Sequence, residues 1–149
     1  MSTSQPTPLS ETWVDCLQKN GYRITAPRRA IVEIMAKSWR PLSALDLYDL
    51  GRTRYPRLGL VTVYRTLEKL EQLGLIQRLH HPDGCHTFLP ALKGHTHLLI
   101  CTACGRAVAF SGDDLSGLIT ETARHSGYQI REHWLQLFGL CAECQKVTR

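Results

Sequence analysis

The chain has 149 residues, the size of one ordinary domain or two small ones. Hydrophobic residues make up 43% and charged residues 21%, which permits a packed core and excludes wholesale disorder. No apolar run approaches the roughly 18 residues of a membrane span, and residues 1–10 lack the apolar segment of a secretory signal, so a soluble, cytoplasmic protein without a membrane partner is expected.

Lys and Arg number 18 against 13 Asp and Glu, a net charge of +5. Up to Phe88 the count is 12 basic and 8 acidic residues, net +4; after it the count is 6 and 5, net +1. Positive charge therefore gathers in the first part, where a polyanion-binding module would carry it. All seven histidines lie from His80 to His133, and five of the six cysteines lie from Cys85 onward. A basic binding module followed by a metal-rich module is the organisation these counts imply.

In chain order, residues 1–9 read as a flexible tail. Ser10 stands where it would cap a helix over 11–20, with Trp13 and Leu17 on one face and Gly21 as its stop. Thr25 precedes Ala26-Pro27, and proline is accepted in a first helical turn. Ile31, Ile34 and Met35 continue that helix's apolar face to about Ser38. The Ser43-x-x-Asp46 pattern caps a third helix running to about Leu50. After an Arg-rich connector over 51–60 comes a helix over 62–73, with Val63, Leu67 and Leu70 at helical spacing and Gly74 as its stop. Segments 75–79 and 86–89 read as strands around the turn sequence Pro82-Asp83-Gly84. Helices followed by a β-hairpin is the order of a winged helix-turn-helix domain, placed at residues 10–89.

Residues 90–149 form a second, small α/β module, making the chain α+β. Strands are expected over 98–101 and 107–110, then a helix from Asp113-Asp114 to about Ser126 with acids at its start. A strand over 133–140 follows, alternating through Trp134, Gln136 and Phe138. About 60 residues bury too little core to be stable without a staple or a partner chain.

Cys101-x-x-Cys104 and Cys141-x-x-Cys144 supply such a staple. A pair on a tight turn after a strand directs two sulfurs at one ion, and two pairs complete a tetrahedron. Thiolates are soft ligands and four of them close the site, so structural zinc is the expected occupant. Disulfides suit a chain without an export signal poorly, and a thioredoxin-like motif needs one pair in a βαβ setting.

The helix over 62–73 buries Val63, Leu67 and Leu70, leaving Tyr64, Arg65 and Thr66 free near its N-terminal end. That end of a recognition helix reaches base edges in the major groove. Arginine takes guanine bidentately, and an aromatic ring can touch a thymine methyl. Arg23, Arg28 and Arg29 flank an earlier helix start, and Arg52, Arg54 and Arg57 lie in the connector. They are candidates for phosphate or minor-groove contacts, a solvated basic face being the alternative for any one of them.

The strings Tyr22-Arg-Ile-Thr-Ala-Pro-Arg28, Gly59-Leu-Val-Thr-Val-Tyr-Arg65, His95-x-His97 before Cys101-x-x-Cys104-Gly105, and Phe138-Gly-x-Cys-x-x-Cys144 resemble the ferric uptake regulator family over about residues 13–145. The resemblance implies a homodimeric, metal-dependent transcriptional repressor, not an enzyme, acting on a palindromic operator in double-stranded DNA. It also implies a winged-helix domain joined to an α/β dimerisation domain. By position, Tyr64 and Arg65, in the segment beginning at Thr62, resemble the family's base-contacting residues. Arg23 resembles its minor-groove residue and Arg28 a backbone contact. Cys101, Cys104, Cys141 and Cys144 resemble its structural zinc site, which not every member has.

Members also bind a regulatory metal through His, Asp, Glu and sometimes Cys. His95 and His97, spaced to share one face of a strand, and His133 match one such site. Ser116 stands where its usual Glu would be, leaving Asp113, Asp114 or no residue of the chain as the fourth ligand. At a second common site Leu89, Thr96 and Leu98 replace the ligands. His80, His81, Cys85 and His86 cluster at the hairpin turn instead, and Cys85-His86 resembles the Cys-His of zinc-sensing members. A thiolate–imidazole set favours zinc over iron. The expectation leans to zinc-dependent control of metal uptake genes, with structural Zn2+ and a regulatory Zn2+ or Fe2+, Mn2+ being the third option. An iron(II)-dependent repressor and an iron-based peroxide sensor are the alternatives. For Cys85 and Cys16 the plain alternative is a small buried hydrophobe, for His125 a surface position, for His80 and His81 a polar hairpin tip. A zinc enzyme would need a His-x-Glu with Pro-Cys-x-x-Cys or a His-Glu-x-x-His, and neither occurs. A redox switch through Cys85 and Cys16 is a further class.

Overall fold

A computed structural model describes residues 7–92, 94, 96–112 and 115–147. The chain divides into two compact units, with the break between Ala91 and Leu92.

The first unit packs α1 (Leu9–Lys19), α2 (Ala26–Lys37), α3 (Ala44–Arg54) and α4 (Leu60–Gln72), then closes with a hairpin of β1 (Ile76–His80) and β2 (His86–Pro90). The strands pair antiparallel from Ile76↔Pro90 to His80↔His86. Leu42 adds a bridge on the far side of β2, exchanging backbone hydrogen bonds with Phe88 at 3.0 and 2.8 Å. Leu17, Ile31, Met35, Leu47, Val63 and Leu70 are fully buried at the centre, with Trp13 and Phe88 beside them. Each helix contributes residues three or four apart, so one stripe per helix leaves water. The result is a winged helix-turn-helix.

Local chemistry sets the starts of α2 and α3. Thr25 accepts the Arg28 N–H at 3.4 Å and caps α2, with Pro27 in the first turn. Ser43 and Asp46 form a full capping box at α3. Other ends differ from expectation. Ser10 does not cap α1: the N–H groups of Glu11 and Thr12 donate to the Pro8 carbonyl, so the helix starts earlier and buries Ser10. Helix α3 runs past Leu50 to Arg54 because its glycine packs: Gly51 is buried, and a Cβ there would stand 2.4 Å from a Leu58 methyl. Helix α4 begins at Leu60 from Gly59, without a side-chain cap.

The second unit contains β3 (Thr96–Cys101), β4 (Ala107–Ser111), α5 (Ser116–Ser126), β5 (Gln136–Gly139) and α6 (Ala142–Val147). Strand β3 is central, antiparallel to β4 and parallel to β5. Leu98 and Ile100 are buried. Val108, Leu99 and Leu137 occupy one register row across the sheet and are 51%, 47% and 45% exposed. Helix α5 buries no residue.

Three expectations are corrected here. The strand expected over 133–140 is only β5, and Trp134 stands outside it, 85% exposed. Helix α5 starts at Ser116, its first turn holds no acid, and Leu115 caps it in the left-handed region at φ 58°; Asp113 and Asp114 lie outside the described residues. Helix α6 was not expected, and it carries Cys144 on a helix rather than a turn. Among the described residues, no helix is long and apolar enough to cross a membrane.

Candidate DNA interface and metal centres

Cys101 ends β3, Cys104 lies in the turn after it, Cys141 follows β5 and Cys144 sits on α6. The four sulfurs all lie within 4.8 Å of one another. The Cys104 and Cys141 sulfurs are 3.8 Å apart, which matches the edge of a tetrahedron with zinc–sulfur bonds of about 2.3 Å. None of the cysteines is in a disulfide. The Cys141 N–H donates to the Cys101 sulfur at 3.3 Å, and with the Cys104 N–H it lowers the Cys101 thiol to about 6. The Cys144 N–H lowers Cys141 in the same way. Cys144 is pushed up to about 12 by its hydrogen bonds with Cys141, Cys101 and Cys104, which favour its protonated form. A divalent cation would displace the thiol protons, and the closed four-thiol set fits structural zinc.

The histidines divide between the units. His97 is buried on β3, its ring 5.5 Å from Phe110 and 5.8 Å from the half-buried His133. The structure thus brings His97 and His133 together; His95 lies outside the described residues, as do both candidate aspartates. Ser116 is exposed at the start of α5. Among the described residues, the four cysteines alone form a group of three or more side chains with metal-binding atoms this close.

At the hairpin tip, His80 and His86 face each other edge-on with ring centres 4.8 Å apart, and His81 shares a hydrogen bond with the Thr87 hydroxyl at 2.8 Å. Cys85 is exposed, so it is not a buried hydrophobe. Asp83 accepts the Cys85 N–H at 2.9 Å, which lowers its own pKa, and its charge raises that of the Cys85 thiol. A thiol held protonated is a slower nucleophile and a weaker metal ligand. Asp83→Asn keeps the accepting oxygen but removes the charge, so it lowers the thiol pKa and raises the thiolate fraction at pH 8. Peptide-resolved iodoacetamide labelling should therefore find Cys85 alkylated faster in the variant. An unchanged rate would remove Asp83 as the cause.

On the first unit, Arg23, Thr25, Arg28, Tyr55, Thr62 and Arg65 help line a cavity of about 640 Å³. No acid lines it among the described residues, and the N-terminus of α2 opens on it, so guanidinium groups gather at the positive end of that helix. Arg28 donates to the Arg23 carbonyl at 2.5 Å, while its Nε is buried with no partner among the described residues. Arg29 and Arg54, by contrast, are paired to Glu11 at 2.8 Å and Glu33 at 3.0 Å. Arg65 also borders a second cavity of about 630 Å³, between α4, the start of α3 and the hairpin.

Tyr64 and Arg65 are exposed on α4. Thr66 is not: it is fully buried, and its hydroxyl donates to the Thr62 carbonyl at 2.7 Å. Position 66 lies three residues after Val63 and four before Leu70, inside the buried stripe. The outward row is Val61, Tyr64, Arg65 and Glu68, of which the sequence reading singled out only the middle two. The same helical spacing that marks the core also identifies Val61 and Glu68. Tyr55 was missed because only the tertiary fold brings it from the connector to the arginines.

A winged helix-turn-helix with a cationic cavity, on one chain with an α/β unit holding a closed four-thiol centre, is the arrangement of a metal-responsive transcription regulator. The ferric uptake regulator profile matches residues 19–138, and the chain belongs to that family. It is 31% identical over 130 residues to the ferric uptake regulation protein of Neisseria gonorrhoeae, covering 87% of this chain and 90% of that one. It is also 31% identical over 133 residues to the peroxide operon regulator of Bacillus subtilis strain 168, covering 89% and 91%. A solved zinc uptake regulator complexed with zinc and DNA superposes with a TM-score of 0.73 at 25% identity over 99% of each chain. The family consists of transcription regulators, not enzymes.

Proposed function

We propose that the protein is a homodimeric, zinc-responsive repressor that binds a palindromic operator and controls metal uptake genes in the cytoplasm. The observation that carries the DNA-binding part is the cationic cavity, to which Arg23, Arg28 and Arg65 bring positive charge and no described residue brings an acid. A phosphate oxygen entering it would accept hydrogen bonds from guanidinium groups that line it. Beside it, Thr62, Tyr64 and Arg65 are placed to enter the major groove. In this reading residues 10–89 bind DNA, and residues 90–149 dimerise and hold metal.

The dimer is supported by the second unit's unfinished surface. Strand β5 is a sheet edge, the Val108–Leu99–Leu137 row is open, and α5 buries nothing. A second copy covers an apolar sheet face and an unpaired edge at once. Cys101, Cys104, Cys141 and Cys144 hold structural zinc. His97 and His133, with His95 and either Asp113 or Asp114, hold the regulatory ion, whose charge and preferred geometry select one arrangement of its ligands. Such an ion acts on DNA affinity only by binding the DNA-competent state more tightly than the other. Imidazole accommodates zinc, iron and other first-row metals. Zinc is preferred because the zinc-bound and DNA-bound regulator matches end to end. Iron(II) is the second reading, favoured by the ferric uptake relatives.

The test is fluorescence anisotropy on DNA from upstream of the protein's own coding sequence, starting from protein that retains only its four-cysteine zinc. Zinc or anaerobic iron(II) is then supplied at buffered free concentrations. Recovery of specific binding with zinc alone is the expected outcome. Recovery with iron(II) alone transfers the His97 and His133 site to iron, and no response to either removes metal as the switch.

A further inference from the structure

Glu68 is the one acid that lines either cavity beside α4 among the described residues. It continues the outward row through Val61, Tyr64 and Arg65, and it shares the second cavity with Tyr64, Arg65, Arg78 and His86. Its side chain is 59% exposed, and its ion pair is with its neighbour Lys69 at 3.9 Å. Such an exposed pair at that distance is worth little and leaves the carboxylate able to turn outward.

A carboxylate on a DNA-reading face is an electrostatic liability, since it approaches a polyanion. It also accepts hydrogen bonds without donating any. The repulsion is offset only where a base edge presents a donor. In the major groove the donors are the amino groups of cytosine and adenine, and carboxylates pair with that of cytosine. Three residues separate Glu68 from Arg65, about 4.5 Å along the helix axis and a little more than one base step of about 3.4 Å.

We infer that Glu68 is a specificity residue: it accepts a hydrogen bond from the N4 amino group of a cytosine about one step from the base that Arg65 reads, and disfavours bases that offer only acceptors there. This rests on the DNA-reading role proposed for α4. It makes a prediction that a merely solvated residue does not. Glutamine pairs bidentately with adenine, so Glu68→Gln should move the preference at that position from cytosine to adenine. Glu68→Ala should abolish it.

The experiment is selection from a library of randomised duplexes with metal-loaded full-length wild type, Glu68→Gln and Glu68→Ala, followed by anisotropy on single-position variants of the selected site and on random duplex. The wild type is expected to discriminate one C·G pair per half-site by about 5- to 150-fold, the range of one good base contact. Both variants should lose that discrimination at that position alone, while holding random duplex at least as tightly as the wild type. Unchanged preference at every position overturns the inference, and so does a flattening at all positions together, which would mark a structural role. Adenine selected by the wild type overturns the cytosine assignment. A wild type that enriches no sequence overturns the DNA-reading role of α4 itself, an outcome distinct from the others.

Discussion

Replacing Cys101 with serine is expected to leave the protein without tightly held zinc and to undo the second unit in the same step. Serine offers a neutral hydroxyl where the site needs a soft thiolate, and four ligands are the minimum for a closed tetrahedron. The surrounding unit has little else to hold it. Its buried side chains among the described residues are His97, Leu98, Ile100 and Cys101, all on β3, and neither α5 nor α6 buries any. Structural zinc contributes on the order of 10–16 kcal/mol at neutral pH in small domains, against a net stability of about 5–15 kcal/mol for a whole protein. Zinc per chain should fall from one to zero after dialysis, and size-exclusion chromatography should show loss of the dimer. Cys16→Ser, on α1, is the control and should change neither. The pH dependence has a definite sign. In the metal-free centre Cys101 is lowered to about 6 and Cys144 raised to about 12, so zinc must displace protons and its retention weakens as pH falls. A Cys101→Ser protein with full zinc content and an intact dimer would refute the structural role.

What the sequence made legible follows the range of the interactions involved. The capping box at Ser43 and Asp46, the cap at Thr25 and the spacing of Val63, Leu67 and Leu70 are all set within one or two turns, and each appears where the residues place it. The two Cys-x-x-Cys pairs are equally local, and their convergence followed from the chemistry of thiolates around one ion. Errors arose where distant residues decide. Gly51 would ordinarily end a helix, yet Leu58 fills the space above it and α3 continues. Thr66 counts as polar in a periodicity scan, but its hydroxyl is satisfied by its own helix, so it enters the core without penalty. Helix α6 is too short and too polar to carry a helical pattern, and it exists where Cys141 and Cys144 fold back towards Cys101. In the candidate DNA interface the arginines were visible as charge, whereas the arrival of Tyr55 beside them depends on tertiary placement.

Arg65→Ala and Arg28→Ala should weaken DNA binding in two different ways, and the contrast between them is the sharpest test of how α4 meets its operator. Arg65 stands exposed on the outward row of α4 and borders both cavities. In the proposed role a guanidinium there would donate two parallel hydrogen bonds to the O6 and N7 of a guanine, a contact worth about 1–3 kcal/mol of discrimination against the wrong base. Its removal should lower operator affinity by about 5- to 150-fold, relax selectivity at one base pair and change random-duplex binding far less. Tyr64→Ala should behave similarly through lost apolar contact, with Tyr64→Phe close to wild type if the ring rather than the hydroxyl carries the contact. Arg28 lies half-buried at the N-terminus of α2, where its charge can serve any sequence. Arg28→Ala should therefore weaken operator and random DNA alike, and reduce the slope of log affinity against log salt by about one. The measurement is anisotropy on operator and random duplex across a salt series with metal-saturated protein. Equal losses on both duplexes for Arg65→Ala would place that side chain on phosphate and move base recognition elsewhere on the outward row. A selective loss for Arg28→Ala would instead make the cationic cavity part of sequence readout.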